Sequence, residues 1–220
     1  MPQPNLCRLI CIVSLLATHG CQKAFDNKTP SENVPTIKTS AWDCDRIGYL
    51  VTSPGKNQNI WVFQPDKTSQ LHASTSRNSP AFGSADLGIS FQNDTATISI
   101  DGNTDSCHKN YRASIWEEAK LRGVEFRGIG NEPPWQLEIG PNSIVLKTGY
   151  ELSAQTYPLV NSTGKSQQST RYQTHTDNGQ LTISIRAEHC ADSMSGEEFA
   201  STVVISVDKL KLTGCGRPLH

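Results

Sequence analysis

Apolar residues form one continuous run near the start of the chain and afterwards come in short alternating runs. The continuous run spans residues 9–17, follows a segment whose single positive side chain is Arg8, and is too short to cross a bilayer as a helix. That anatomy is expected of a secretory signal peptide over residues 1–20. Residues 21–41 show neither a period of 2 nor one of 3.6 and carry Pro30, Pro35 and scattered Asn, Thr, Ser and Lys. They read as a flexible tether.

From Trp42 onward the alternation is that of strands. Ile60-Trp61-Val62-Phe63, Leu87-Gly88-Ile89-Ser90-Phe91 and Thr95-Ala96-Thr97-Ile98-Ser99-Ile100 are each short, and the last is closed by Asp101-Gly102. Strand-forming runs punctuated by turn dipeptides predict a meandering antiparallel unit over residues 42–107. Between residues 111 and 123, Ile115, Trp116, Ala119 and Leu121 lie among Glu117, Glu118, Lys120 and Arg122, a partial helical spacing. One short helix, within a connector of residues 108–123, is predicted there. A second unit, residues 124–220, has strand candidates at 136–139, 143–147, 180–187, 202–208 and 210–214, with a polar loop at 161–168. The expected fold class is therefore mainly β: two small antiparallel units, sheet-like or barrel-like, joined by a short helix.

Composition narrows the function classes. A net charge of −1, a pI near 6.6 and a mean hydropathy of −0.45 lack the basic excess of a nucleic-acid-binding surface, so nucleic-acid partners are set aside. Of seven cysteines, Cys7 and Cys11 fall within the expected signal peptide and Cys21 directly follows it. The remaining four are Cys44, Cys107, Cys190 and Cys215, an even number that suits an oxidising compartment. Three pairings are possible. Cys44 with Cys107 and Cys190 with Cys215 is the expected set, because each pair brackets one unit, and each closure contributes roughly 3 to 4 kcal/mol in the loop-entropy account. No Cys-x-x-Cys pair is present. His189, Cys190 and Asp192 lie close together but lack a matching His motif, so neither a metal nor another cofactor is expected. No Gly-x-Ser-x-Gly, His-Glu-x-x-His or Cys/His nucleophile setting occurs, and the chain is read as a non-enzyme.

Three resemblances bear on function. Thr18-His19-Gly20-Cys21 resembles the cleavage site of bacterial lipoproteins, with Thr18 and His19 departing from its usual Leu and small residue. The resemblance implies cleavage before Cys21 and its acylation, with palmitate among the attached chains. Gln22 rather than Asp then implies an anchor in the outer membrane, facing the periplasm.

Residues 42–107 resemble the membrane-bound inhibitors of c-type lysozyme, through Trp42-Asp43-Cys44, Val62-Phe63-Gln64-Pro65, Leu71, Ile89-Ser90-Phe91 and the stretch from Ala96 to Gly102 before Cys107. This resemblance implies lysozyme as a partner and a Ser/Gly loop that enters its cleft, where donors meet two catalytic carboxylates. Ser79, Gly83 and Ser84 are the matching contact candidates; the family's tyrosine is missing, and Asp86 would repel the carboxylates.

Residues 124–220 resemble an uncharacterised module of bacterial envelope proteins that often follows such a unit. Its marks here are Gly130-Asn131-Glu132-Pro133-Pro134-Trp135, Met194-Ser195-Gly196 and Gly214-Cys215-Gly216-Arg217. Glu132, Trp135, Asp192 and Arg217 are its candidate site residues. Trp135 is expected to pack in the core after a rigid Pro turn, Asp192 to cap a turn completed by Gly196, and Arg217 to pair with Glu132 or Asp192 or to bind an anionic glycan. A cell-envelope lipoprotein is the expected identity, either lysozyme-inhibitor-like or structural, holding cell-wall glycan or another envelope protein. A small-ligand carrier with a pocket near Trp135 is a further expectation.

Overall fold

The computed structural model describes residues 37–74, 81–162, 164–166, 168–176 and 179–220. The expected signal peptide, Cys21, most of the tether and Ser79 lie outside them. The first eight strands are β1 (Ser40–Cys44), β2 (Gly48–Pro54), β3 (Ile60–Phe63), β4 (Thr68–Ser74), β5 (Ala81–Gly83), β6 (Leu87–Gln92), β7 (Thr95–Ile100) and β8 (Asn103–Asn110). They form a closed antiparallel barrel, in which β1 pairs with both β2 and β8. Closure leaves no open sheet edge.

Alternation decides what fills the barrel. Trp42, Leu50, Ile60, Val62, Leu71, Phe82, Leu87, Ile89, Ala96 and Ile98 form one buried cluster. The Trp42 Nε1 donates to Thr52 Oγ1 at 2.9 Å, so the only polar atom of the indole is satisfied within the wall. Cys44 stands opposite Cys107 in the β1–β8 register, and the two form a disulfide. Asp101 and Gly102 both have positive φ, 47° and 80°, as a two-residue hairpin turn between β7 and β8 requires.

β8 runs directly into helix α1 (Tyr111–Leu121), whose first turn is capped by Asn110 accepting from the Ala113 N–H at 2.9 Å. Ser114, Trp116 and Ala119 form its buried face. The Ala41 N–H donates to Ser114 Oγ at 2.9 Å, tying the helix to β1. The helix ends at Gly123, whose φ of +83° suits a left-handed C-terminal stop.

The second unit contains β9 (Phe126–Asn131), β10 (Pro134–Ile139), β11 (Ser143–Thr148), β12 (Ser153–Pro158), β13 (Gly164–Lys165), β14 (Ser169–Thr176), β15 (Gly179–Arg186), β16 (Cys190–Ala191), β17 (Glu198–Phe199), β18 (Ser201–Val207) and β19 (Leu210–Pro218). Nine of them form one antiparallel sheet in the order β12-β11-β10-β9-β19-β18-β15-β14-β13, while β16 and β17 make a separate two-stranded ribbon. The sheet curls until its ends approach, Thr174 Oγ1 of β14 donating to the Pro158 carbonyl of β12 at 3.2 Å. Its concave core holds Trp135, Leu137, Ile139, Ile144, Leu146, Tyr157, Leu181, Ile183, Val203 and Ile205.

The mainly β architecture joined by one short helix agrees with the sequence pattern. Several elements extend beyond it. β1 starts at Ser40 and β8 continues to Asn110, so residues 108–110 belong to the barrel. β12 and β14 carry mostly polar, partly exposed side chains and so lack the alternation that marks β10 and β18. Their strand conformation is supplied by ladder partners, β11 for β12 and β15 for β14. Within the polar stretch expected as a loop, Gly164 and Lys165 pair with Arg171 and Thr170.

Candidate functional site

The glycines of the second unit make room for one large ring. Trp135 pairs with Gly130 in the β9–β10 register, and Leu137 pairs with Gly128, so both glycines share the inner face with the indole. A Cβ on Gly130 would collide with the indole Nε1, one on Gly214 would lie 2.7 Å from the indole Cζ2, and one on Gly128 would lie 3.3 Å from its Cζ3. Trp135 is 1 % exposed and donates from Nε1 to the Thr213 carbonyl at 3.3 Å. The Gly-rich segments and the tryptophan are thus one packing arrangement.

Residues alternating with these face the other side of the sheet. Cys215 pairs with Ile129 there and bonds to Cys190, pinning the β16–β17 ribbon across the sheet. Trp116 of α1 packs with Phe199, Cys215 and Ile129 in the same small apolar cluster. The Arg217 guanidinium lies 4.4 Å from the centre of the Trp116 ring and pairs with Glu197 at 3.7 Å. Its partner is therefore Glu197 and an aromatic face, in place of the Glu132 or Asp192 expected from the sequence. Glu197 ends the loop that joins the two strands of the ribbon, which the disulfide draws over the β19 end, and sequence spacing carries no sign of that.

Asp192 caps the loop of residues 192–197, as its position before Ser193-Met194-Ser195-Gly196 implied. Its Oδ1 accepts from the Ser195 N–H at 2.8 Å and the Ser195 hydroxyl at 2.6 Å, and its Oδ2 accepts from Asn131 Nδ2 at 2.6 Å. Gly196 has a φ of +69°. The Ser195 hydroxyl is the main reason that the Asp192 carboxyl titrates below its ordinary value; its backbone and Asn131 donors add to this, and burial opposes it. The Asn131 bond links the Gly-Asn-Glu-Pro segment directly to the Asp-Ser-Met-Ser-Gly segment.

Between α1, strands β9 and β10, the turn at residues 149–152 and the capped loop lies a groove of about 430 Å³. Ile115, Trp116, Tyr150, Leu152 and Met194 supply its apolar wall. Tyr150 is 93 % exposed and Met194 77 %, so the rim presents large apolar side chains to solvent without a covering element. Arg112, Arg127, Asn131, Gln136 and Glu197 supply its polar lining.

Two of these polar groups are incompletely paired. Arg127, 4 % exposed, donates to Glu138 Oε1 at 3.3 Å and Gln136 Oε1 at 3.2 Å, yet its Nε has no hydrogen-bond partner. Burial pulls its guanidinium below its ordinary value, with Glu138 acting in the opposite sense. Glu197 Oε2 is buried without a hydrogen bond, its nearest cation being Arg112 Nε at 3.5 Å. A buried polar atom left without a hydrogen bond costs about 1 to 3 kcal/mol, so these two atoms mark where the groove is least satisfied.

The other candidates stand apart. Glu132 is exposed at the β9–β10 turn and outside the groove lining. Gly83 ends β5, paired with Gly88, and Ser84 begins an exposed turn. The Ser84 hydroxyl donates back to the Leu87 carbonyl at 3.4 Å, and Asp86 is exposed beside it. His189 pairs with Glu198 at 3.5 Å while Cys190 is in its disulfide. Among the described residues no cluster of three or more His, Cys, Asp or Glu is placed to hold a metal ion, and no helix is long and apolar enough to cross a membrane.

Arg112, Gln136, Tyr150 and Glu197 were not singled out from the sequence. For Tyr150 a signal existed, an aromatic beside Gly149 in a turn-forming stretch; the other three come from three separate elements. Comparison of the chain with known protein families, with curated proteins and with solved structures finds no match.

Proposed function

We propose that the chain is an exported cell-envelope lipoprotein that acts by binding, and that its second β unit receives cell-wall glycan in the groove beside Trp135. One observation carries this reading. The segments around Asn131 and Met194, far apart in sequence, converge on a single groove whose rim leaves Tyr150 and Met194 open to solvent, and Arg217 pairs with Glu197 of its lining. A concave, mainly apolar site with a few converging polar groups is the usual form of a ligand seat. The constellation lacks an activated nucleophile and an acid–base pair, which favours binding over catalysis.

The test is co-sedimentation of the purified, oxidised protein with insoluble peptidoglycan. The protein is expected to pellet with the sacculi and to be released by Tyr150→Ala, which removes an exposed rim side chain. A protein that stays wholly in the supernatant would sink the reading. The anchor is tested separately: labelled palmitate is expected to enter the wild type and to be absent from Cys21→Ser.

A second reading follows from the barrel. Its β5–β6 turn exposes Ser84 and Asp86 at a hairpin end, where a partner's cleft can reach them. If this turn carries lysozyme inhibition, the protein slows lysis of a cell-wall suspension by c-type lysozyme, and Ser84→Ala or Ser79→Ala relieves the effect. Undiminished lysis by wild type removes this reading and leaves the groove untouched.

A further inference from the structure

We propose that the groove recognises the acetamido group of an N-acetylated sugar, with Arg127 Nε donating to its carbonyl oxygen and Glu197 Oε2 accepting from its N–H. This rests on the glycan reading above and specifies the chemical group that is read.

The groove is short of hydrogen bonds at two buried atoms. It holds one buried donor and one buried acceptor without hydrogen bonds, Arg127 Nε and Glu197 Oε2, on opposite partners of the site: a central strand and the disulfide-pinned ribbon. A lone anion would satisfy the arginine and be repelled by the glutamate. A lone cation would do the reverse. A hydroxyl can serve both only where they reach one and the same oxygen, whereas a secondary amide presents its acceptor and its donor on opposite sides of a rigid plane, and so bridges a donor and an acceptor carried by separate elements. Its methyl group and the sugar ring then have Tyr150, Ile115, Leu152 and Met194 to pack against. Access is provided by Arg112, whose side chain is 55 % exposed and lies over Glu197 Oε2 at 3.5 Å, able to swing into solvent.

An extended peptide also carries secondary amides, but the floor of this groove does not suit one. β9 is hydrogen-bonded on one side to β10 and on the other to β19, and β10 lies between β9 and β11. No strand edge is open there for the main-chain ladder by which extended peptides gain affinity. Recognition must come from side chains, which suits a compact amide on a ring.

The polar hollow at the barrel rim, lined by Asp45, Arg46, Thr97, Thr104, Asp105 and Ser106, shows the contrast. Its buried carboxylate already accepts from the Arg46, Ile47 and Ser106 N–H groups, at 2.9, 2.9 and 3.0 Å. It has no unmet demand for a ligand.

The experiment titrates the purified, oxidised protein with three soluble probes, following tryptophan fluorescence and heat of binding: triacetylchitotriose, cellotriose, and a short N-acetylated peptide amide. Triacetylchitotriose is expected to bind at least tenfold more tightly than cellotriose, which has hydroxyls in place of acetamido groups, and than the peptide. Glu197→Gln is expected to weaken the chitotriose at least fivefold without moving the weak cellotriose binding, and Tyr150→Ala to weaken both sugars. Equal binding of the two sugars, an unchanged affinity in Glu197→Gln, or tighter binding of the peptide would each overturn the proposal. Retention on peptidoglycan with no chitotriose binding would overturn it while leaving the glycan reading standing; loss of both would remove the two together.

Discussion

The two β units answer the same problem, an apolar face that must be hidden, in different ways. The first closes its sheet, and its alternating apolar residues meet in the interior while the outer surface stays polar apart from Trp61 and a few others. The second leaves its sheet open at β12 and β13, fills the inner face with the Trp135 core, and then builds a second apolar layer outside it from Trp116, Phe199 and Ile129. Covering an outer face takes a helix and a ribbon brought from elsewhere in the chain, and elements assembled from different places rarely meet without a gap. The groove is that gap. Closure produces a scaffold, whereas incomplete coverage produces a site.

Removing the staples should separate the units most strongly. Cys44→Ser/Cys107→Ser opens a closure of 63 residues and should cost about 4 kcal/mol, and Cys190→Ser/Cys215→Ser opens one of 25 and should cost about 3.5 kcal/mol. The larger loss belongs to the barrel, but only the second change should abolish groove binding. Urea unfolding with parallel ligand titration checks both, and binding that survives loss of the Cys190–Cys215 bond would break the link between ribbon and site.

A single methyl probes how tightly each unit is packed. Gly130→Ala pushes a Cβ into the Trp135 indole and should destabilise by about 3 kcal/mol. Gly88→Ala, in the barrel, meets its nearest neighbours at 3.9 Å and should cost under about 1 kcal/mol. Equal midpoints in denaturant would show that the indole does not depend on the glycines facing it.

Acid should loosen the groove through Asp192. Its carboxyl titrates below the ordinary 3.8, held there first by the Ser195 hydroxyl, so its contribution is complete above that value and is lost as pH falls through its lower native one. Protection of the residue 193–197 amides, taken as the intrinsic exchange rate at each pH divided by the observed rate, is expected to be high at pH 6 and to fall at the acid end, and Asp192→Asn should be poorly protected at both. Protection in the wild type that ignores pH would remove Asp192 as the clasp of the loop.

The smallest effect on stability is expected at Tyr150. At 93 % exposure Tyr150→Ala should shift the unfolding free energy by less than about 0.5 kcal/mol while weakening ligand binding, and thermal melts beside titrations measure both. A variant that melts early would make Tyr150 part of the scaffold.

Where the alternation was strong the strands were legible. β3, β6, β7, β10, β11, β15 and β18 all lie where apolar residues recur every second position, because one face of each is buried. β12 and β14 were not, since each buries only one residue, Tyr157 and Thr174, among mostly polar neighbours and takes its conformation from its ladder partners. The site was legible in part. Trp135, Asp192 and the glycines announce themselves locally, through a Pro turn, an Asx-type cap and a Gly-rich run. Arg217 was legible as a candidate but not its partner, and Arg112, Gln136 and Glu197 were not legible at all.

Local chemistry explains that division. The amino-acid sequence by itself determined the β class, the position of α1, the turn at Asp101-Gly102 and the capped loop at Asp192, because period, capping and positive φ act within a few residues. Tertiary structure alone decided that the first sheet closes, that Arg217 stacks on Trp116, and that a donor on β9 and an acceptor in the ribbon's loop are left without hydrogen bonds beside one groove. Each of those depends on pairing across tens of residues, where the curl of the sheet and the Cys190–Cys215 bond, rather than any short-range preference, set which side chains meet.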